Sequence, residues 1–89
     1  MITIEPTIFI NARTSKKTYG VRVYDEYGKS YDNTWDKIPT NDMDVLEKVI
    51  TESDDPDIHT SIEFIKENKE GVNIGGENYN WHEIKDILG

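Results

Sequence analysis

The strongest constraint on the fold is the stretch Tyr19–Trp35, YGVRVYDEYGKSYDNTW, whose pattern predicts a β-hairpin. Val21 and Val23 alternate with more polar neighbours, which is the two-residue period of a strand with one buried face. The turn that follows, Asp25–Gly28, has aspartate first and glycine fourth, as type I turns favour. We expect the core to assemble on this hairpin, because no other segment is as long and as apolar.

A further strand is predicted in the first ten residues, MITIEPTIFI, where four isoleucines share one parity around Pro6. Proline has no N–H to donate to a neighbouring strand, so we expect this strand to lie at a sheet edge or to be kinked there. The polar stretch Asn11–Lys17 then connects it to the hairpin as a meander. The beginning of the chain is therefore interpreted as a three-stranded antiparallel sheet, about the minimum that is stable with one apolar face.

Two helices are predicted after this sheet. Asn41 or the threonine before it is expected to cap the first helix, which runs to about Ser53 and carries an apolar stripe at helical spacing. Asp55, with proline at the following position, is a favourable start for the second helix. That helix is expected to run to the lysine or glutamate before Gly71, with the glycine ending it in the C′ position.

The end of the chain predicts a short second hairpin and a last helix. Val72–Tyr79 is centred on Gly75-Gly76, a pair that tolerates positive φ at both turn positions. Asn80 and Glu83 have the spacing of a capping box, which starts a helix. The order βββααββα predicts an α+β fold with the helices on one face of an antiparallel sheet.

Length and composition limit the functions that this chain can have. The 89 residues fit one domain, 1–89, with a thin core in which a deep enzymatic pocket would be hard to build. The absence of cysteine excludes disulfides and thiolate chemistry. The N-terminus does not have the pattern of a signal peptide, and no apolar run approaches the roughly 20 residues of a membrane span. We therefore predict a soluble, cytoplasmic, non-enzymatic protein.

The charge of the chain is strongly negative and unevenly distributed. The net charge is −8, yet the first 24 residues carry four basic residues against Glu5 alone. Residues 25–70 carry fourteen acids against five lysines. Such a surface disfavours direct binding to nucleic acid, whose phosphates require lysine and arginine, and favours a basic partner. The alternative interpretation is that the acids serve solubility alone.

No pattern of residues points to a catalytic, metal or cofactor site. His59 lies among aspartates, but neither zinc-protease spacing nor a calcium-loop pattern is present around it. His82 has no serine or cysteine near it in the sequence. The tyrosines of the first hairpin could stack on bases, but they lack the basic groove that such platforms use. They equally suit a contact with another protein, in which tyrosine and tryptophan often serve as anchors.

The strongest functional candidate is an acidic ridge on the first two helices and their joint. If these helices pack on the sheet through their apolar stripes, their carboxylates must face the solvent. A row of carboxylates can imitate a phosphate backbone, whose charges recur about every 1.7 Å of duplex axis. We predict that these groups contact a partner protein; the proposed contact residues are Asp42, Asp44, Glu47, Asp54, Asp55 and Asp57.

A resemblance to a group of phage proteins accompanies these patterns. The tail GGENYNWHEIKDIL is similar to the turn, aromatic, tryptophan and helix ending of many small phage proteins. The short, cysteine-free, acidic α+β chain as a whole resembles small phage-encoded proteins that disarm bacterial defences, some by mimicking DNA. The resemblance implies an inhibitor of anti-CRISPR or anti-restriction type, acting in the host cytoplasm, and it assigns no particular residue.

Three hypotheses follow for function. The first is a non-enzymatic inhibitor that binds a basic surface on a host nuclease or defence complex, without direct contact to nucleic acid or membrane. The second is a binder of a small ligand, such as a nucleotide signal, held between the loop Arg13–Lys17 and the hairpin tyrosines of two subunits in a homodimer or larger oligomer. The third is a structural accessory protein.

Overall fold

The computed structural model describes residues 2–35, 37, 39–53 and 55–89. The elements follow one another in the predicted order βββααββα, and the α+β class is confirmed. Their bounds are β1 Ile2–Ile10, β2 Lys17–Tyr24, β3 Ser30–Trp35, α1 Asp42–Glu52, α2 Pro56–Asn68, β4 Val72–Ile74, β5 Glu77–Tyr79 and α3 Trp81–Leu88.

The five strands of the described residues belong to one mixed sheet in the order β3-β2-β1-β4-β5. The first three strands form the predicted antiparallel meander, with Tyr19 of β2 opposite Trp35 of β3. The short second hairpin, β4–β5, extends the same sheet through a parallel pairing of β4 with β1, in which Ile2 lies opposite Val72. A parallel neighbour needs a long crossover, and α1 and α2 lie in the segment that provides it.

β1 is central in the sheet at its beginning and an edge strand at its end. It pairs with β4 only over Ile2–Ile4, whereas its pairing with β2 continues to Ile10. The Ile4 carbonyl accepts a hydrogen bond from the Gly75 N–H at 2.9 Å, so even-numbered residues of β1 direct their backbone polar groups toward β4. Pro6 lies just beyond the last β4 pair, where its missing N–H leaves no ladder bond unmade.

The core lies between one face of the sheet and the three helices. Ile4 and Val23 of the sheet are buried, as are Leu46 of α1, Ile65 of α2 and Ile84 of α3. Helix α3 contacts both α1 and α2. The apolar stripes predicted for the helices are therefore the surfaces that they bury.

The predictions for the two tight turns and for the starts of the three helices are confirmed. The Gly28 N–H donates to the Asp25 carbonyl at 3.2 Å, which closes the β2–β3 turn. Gly75 and Gly76 both have positive φ, at 58° and 92°. The side chains of Asn41 and Asp55 cap α1 and α2, and a capping box starts α3.

The prediction that Gly71 ends α2 in the C′ position is wrong. The left-handed residue is Lys69, with φ of 52°, and the Glu70 N–H donates to the Ile65 carbonyl at 3.1 Å. Gly71 is needed for a different reason, since a Cβ at this position would overlap the carbonyl oxygen of Tyr79 on β5. The glycine therefore allows close approach of two backbones rather than a left-handed turn.

Candidate protein-binding site

Helix α1 crosses the sheet from β5 to β3, and this path separates the predicted contact residues. At its first residue, the Tyr79 hydroxyl of β5 donates to Asp42 Oδ2 at 2.5 Å. At its C-cap, Ser53 Oγ accepts from Asn33 Nδ2 of β3 at 3.3 Å. Eleven helical residues span about 16 Å, so Asp42 lies far from the α1–α2 joint.

Asp44 and Glu47 lie on the outer face of α1, one helical turn apart. Both side chains are exposed, whereas Val45, Leu46 and Val49 of the same helix are buried. Neither carboxylate has a side-chain hydrogen bond or an ion pair with another described residue. These two carboxylates are therefore free to meet a partner.

The α1–α2 joint holds the other predicted acids. Asp55 is partly buried, and its Oδ1 accepts the Asp57 N–H at 2.9 Å as the cap of α2. Asp57 is exposed, and its Oδ2 lies 3.6 Å from Lys29 Nζ on the neighbouring hairpin. Asp54 was predicted as a contact residue and lies outside the described residues.

Lysines compensate part of the charge on the acidic ridge. Lys48 Nζ lies 2.6 Å from Glu52 at the end of α1, and Lys66 Nζ lies 3.5 Å from Glu63 on α2. Both are surface pairs, which usually contribute little to stability because water and salt screen them. They nevertheless interrupt the row of negative charge. The five predicted acids among the described residues consequently do not form one continuous band.

A second concentration of negative charge was not predicted from the sequence. The pKa of Glu70, after α2, is raised first by a hydrogen bond with the carboxyl group of Glu26 in the β2–β3 turn. Loss of water and repulsion from Glu26 add to this shift. Two carboxyl groups that share a site cannot both ionise easily. These residues are far apart in the chain, so no local sequence pattern indicates the pair.

The same end of the molecule has a cleft of about 240 Å³ between the β2–β3 turn and α2. One wall is a helical face with the spacing i, i+3, i+4, i+7, formed by Asp57, Thr60, Ser61 and Phe64. The turn Asp25–Tyr27 forms the other wall, and Ile2 and Tyr31 also line the cleft. Phe64 is exposed although it is a large apolar residue, which is notable on a chain this polar.

Lys29 shows how this cleft interacts with a cation. Its Nζ lies 5.2 Å from the centroid of the Tyr31 ring and 3.6 Å from Asp57 Oδ2. The pKa of Lys29 is raised, first by a hydrogen bond with Tyr31 and its charge, and then by the charge of Asp57. The Tyr31 hydroxyl and the Asp57 carboxylate thus both favour the charged ammonium group, which also lies within cation–π distance of the Tyr31 ring.

Asp25 organises the turn that forms one wall of the cleft. Its Oδ1 accepts the N–H groups of Tyr27 and Lys29, each at 2.9 Å. Its Oδ2 accepts the Tyr31 hydroxyl at 3.3 Å. One carboxylate therefore fixes both the turn backbone and the orientation of the Tyr31 ring.

The basic loop Arg13–Lys17 lies at the opposite end of the sheet from the cleft. The loop Asn11–Lys16 connects β1 to β2, whereas the turn with Tyr27 connects β2 to β3. Ile8 and Ile10, near the basic loop, are 53% and 64% exposed, because the β1–β2 hairpin extends beyond the helices. One chain does not bring the basic loop and Tyr27 together, so the ligand site suggested from the sequence would require two subunits.

The surroundings of the two histidines do not indicate a catalytic or metal site. His59 Nε2 lies 2.6 Å from the Ser53 carbonyl, which joins the beginning of α2 to the end of α1. His82 is exposed on α3. Within the described residues, no three histidine, aspartate or glutamate side chains are grouped as metal ligands.

Comparison with known proteins gives no match to a family model, a curated protein or a solved structure. The described part of the chain contains no helix with the length and apolar character needed to cross a bilayer.

The described residues present two acidic features. One is the outer face of α1 with Asp44 and Glu47, and the other is the aromatic cleft beside α2.

The contact between Asp42 and Tyr79 gives a prediction for alkaline pH. The hydrogen bond from the Tyr79 hydroxyl to the Asp42 carboxylate, together with desolvation of the hydroxyl, raises the pKa of Tyr79 from 10.0 to about 12. Because the folded-state pKa is above the unfolded value, this contribution to stability is complete below pH 10.0 and lost as the pH rises through about 12. In Asp42→Asn, we expect the Tyr79 pKa, followed by NMR of ring-labelled tyrosine, to return toward 10.0.

Asp44→Asn is the control for this titration, since it removes an equal charge from the same helix without contacting Tyr79. An unchanged Tyr79 titration in Asp42→Asn, or an equal shift in both variants, would show that the bond does not cause the raised pKa.

Proposed function

We propose that this protein is a non-enzymatic inhibitor that binds a basic surface on a nucleic-acid-handling protein of a bacterial host, such as a nuclease or a defence complex. The observation that supports it is the outward placement of Asp44 and Glu47, opposite the buried stripe of α1. Because the core fixes the rotation of this helix, the two carboxylates are held away from the sheet.

Electrostatics supports the choice of a basic partner. The net charge of −8 attracts a positive surface and repels nucleic acid. Side chains one turn apart on a helix have Cβ atoms about 5–6 Å apart. A protein surface that neutralises phosphates carries lysines and arginines. The same side chains can pair with the two neighbouring carboxylates of α1.

The proposal predicts salt-sensitive binding that competes with DNA. The tagged protein is incubated with bacterial lysate at low and at high salt, and the captured protein is purified and tested for competition by duplex DNA. In the double variant Asp44→Lys/Glu47→Lys, we expect binding to the purified partner to be about 10–100-fold weaker, because like charges face each other. Calorimetry or surface plasmon resonance measures the change.

A matched control is Glu5→Lys/Glu77→Lys, which changes the net charge equally at two exposed positions of the sheet. This control is expected to weaken binding by less than about threefold, through long-range attraction alone. Binding that does not depend on salt, or equal losses in the two double variants, would contradict the proposal.

The second candidate function is an oligomer that sequesters a nucleotide signal. It is favoured by the basic loop Arg13–Lys17 beside the exposed Ile8 and Ile10. A thermal-shift screen with nucleotides and a sizing column distinguish the two candidates, since the inhibitor needs neither a nucleotide nor self-association.

A further inference from the structure

We infer that the cleft between the β2–β3 turn and α2 binds an arginine side chain of the basic partner, so that one guanidinium group anchors the complex. This inference rests on the proposed function, because it identifies what part of a basic surface the protein would hold. It concerns the cleft and not the outer face of α1.

The first argument is the composition of the cleft. Phe64 is 41% exposed and Tyr27 is 94% exposed, and both residues border a space of about 240 Å³. Ile2 and Tyr31 also line it. The cleft therefore combines aromatic surface with carboxylate and hydroxyl groups, a combination that suits one cationic side chain.

The second argument is the internal cation. Lys29 Nζ contacts the Tyr31 ring and Asp57 from the rim of the cleft, and its side chain is 65% exposed. Because it is so exposed, Lys29 can leave without uncovering the core. The chain's own lysine thus occupies the rim of a site for which a cation from a partner could compete.

The third argument is the negative charge of the lining. Asp25 and Asp57 both line the cleft, and an ion pair places Lys29 beside it. The Lys29 ammonium lies 3.6 Å from Oδ2 of Asp57, so the other oxygen of this carboxylate is available to a second cation. These carboxylates give the site a preference for a cation over a neutral apolar group.

Arginine fits this chemistry better than lysine. Its planar guanidinium stacks on aromatic faces while its N–H groups bind a carboxylate side-on. Phe64 and Asp57 lie on the same face of α2, two turns apart, and Thr60 and Ser61 between them provide hydroxyl acceptors. A side chain lying along this face can therefore contact an aromatic ring, a hydroxyl and a carboxylate together.

The probe for the test is butylguanidinium, with butylurea as its neutral isostere. In heteronuclear NMR titrations of the whole chain, we expect butylguanidinium to shift the resonances of residues 25–31 and 57–64, and butylurea to bind at least about tenfold more weakly. Asp57→Asn and Phe64→Ala should each weaken the binding of butylguanidinium about tenfold. Lys29→Gln should strengthen the binding of butylguanidinium about threefold, because the substitution removes the competing cation.

Asp44→Asn is the matched control, because it removes one negative charge from an exposed helical position outside the cleft. It should change the affinity for butylguanidinium by less than about twofold. Equal binding of the two probes, or equal effects of Asp44→Asn and Asp57→Asn, would overturn the inference.

The same variants separate this inference from the proposed function. If Asp57→Asn and Phe64→Ala bind the purified partner as tightly as the unmodified chain, the anchor is refuted while the inhibitor proposal stands. If butylguanidinium binds as expected but no partner competes with DNA, the inhibitor proposal fails alone. A different result would be self-association that Arg13→Gln abolishes, together with loss of butylguanidinium binding at high protein concentration. It would mean that an arginine of a second copy of this chain occupies the cleft, and the inference of an arginine from a partner protein would be overturned.

Discussion

Leu46→Ala is expected to lower the free energy of unfolding by about 2–5 kcal/mol. Leu46 is completely buried on α1, so its removal leaves a cavity that the surrounding side chains fill only in part. A domain of this size has a total stability of about 5–15 kcal/mol. The variant should therefore lose a large share of it, and its Tm should fall by at least about 10 °C. Urea unfolding followed by tryptophan fluorescence measures the change.

The control is Glu47→Ala at the adjacent, exposed position, where we expect a change within about 0.5 kcal/mol. The contrast between the two variants tests the rotation of α1 about its axis. Equal losses would mean that Leu46 is not packed on the sheet as described. The outward placement of Asp44 and Glu47, which supports the proposed function, would then have no basis.

The features predicted correctly from the sequence are determined by neighbouring residues. The β2–β3 turn depends on Asp25 and Gly28, and the start of α3 depends on Asn80 and Glu83. Each involves residues within three or four positions, so the chemistry is visible in the linear pattern. The element order followed from these signals and from the periodicity of the apolar residues.

The features that could not be predicted depend on contacts between distant segments. Nothing near β1 indicates that Val72 will lie opposite Ile2, because two further strands and two helices separate these residues in the sequence. The Tyr79–Asp42 bond and the Glu26–Glu70 pair join residues from different elements in the same way. The cleft has the same origin, since its walls come from a turn and a helix that are separate in the sequence.

The distribution of charge in the folded chain changes the interpretation of the acidic ridge. Asp42 is engaged by Tyr79, and Asp57 by Lys29, whereas Asp44 and Glu47 remain exposed to solvent on α1. The most crowded carboxylates lie instead beside the cleft. A partner that covers both features would extend across α1 and α2, with a basic surface over the first helix and one cationic side chain beside the second.

Gly20→Ala is expected to destabilise the sheet by about 3 kcal/mol, near the upper end of the range for overpacking. Gly20 is buried on β2, directly opposite Thr34 of β3. A Cβ at this position would overlap the carbonyl oxygen of Asn33 and also approach the Thr34 Cα. Because these are backbone atoms of a paired strand, no side-chain rotation relieves the contact, and β2 and β3 must separate. Urea unfolding measures the loss.

Gly28→Ala distinguishes this steric cause from a general cost of replacing glycine. Gly28 has a φ of 82°, but a Cβ there would meet no atom within 4 Å. Its replacement should cost about 1 kcal/mol, the strain of a left-handed alanine. NMR should show displaced resonances along both β2 and β3 in Gly20→Ala, and only around the turn in Gly28→Ala. If Gly20→Ala cost no more than Gly28→Ala, the two strands could not be as close as described, and the hairpin on which the core assembles would need a different register.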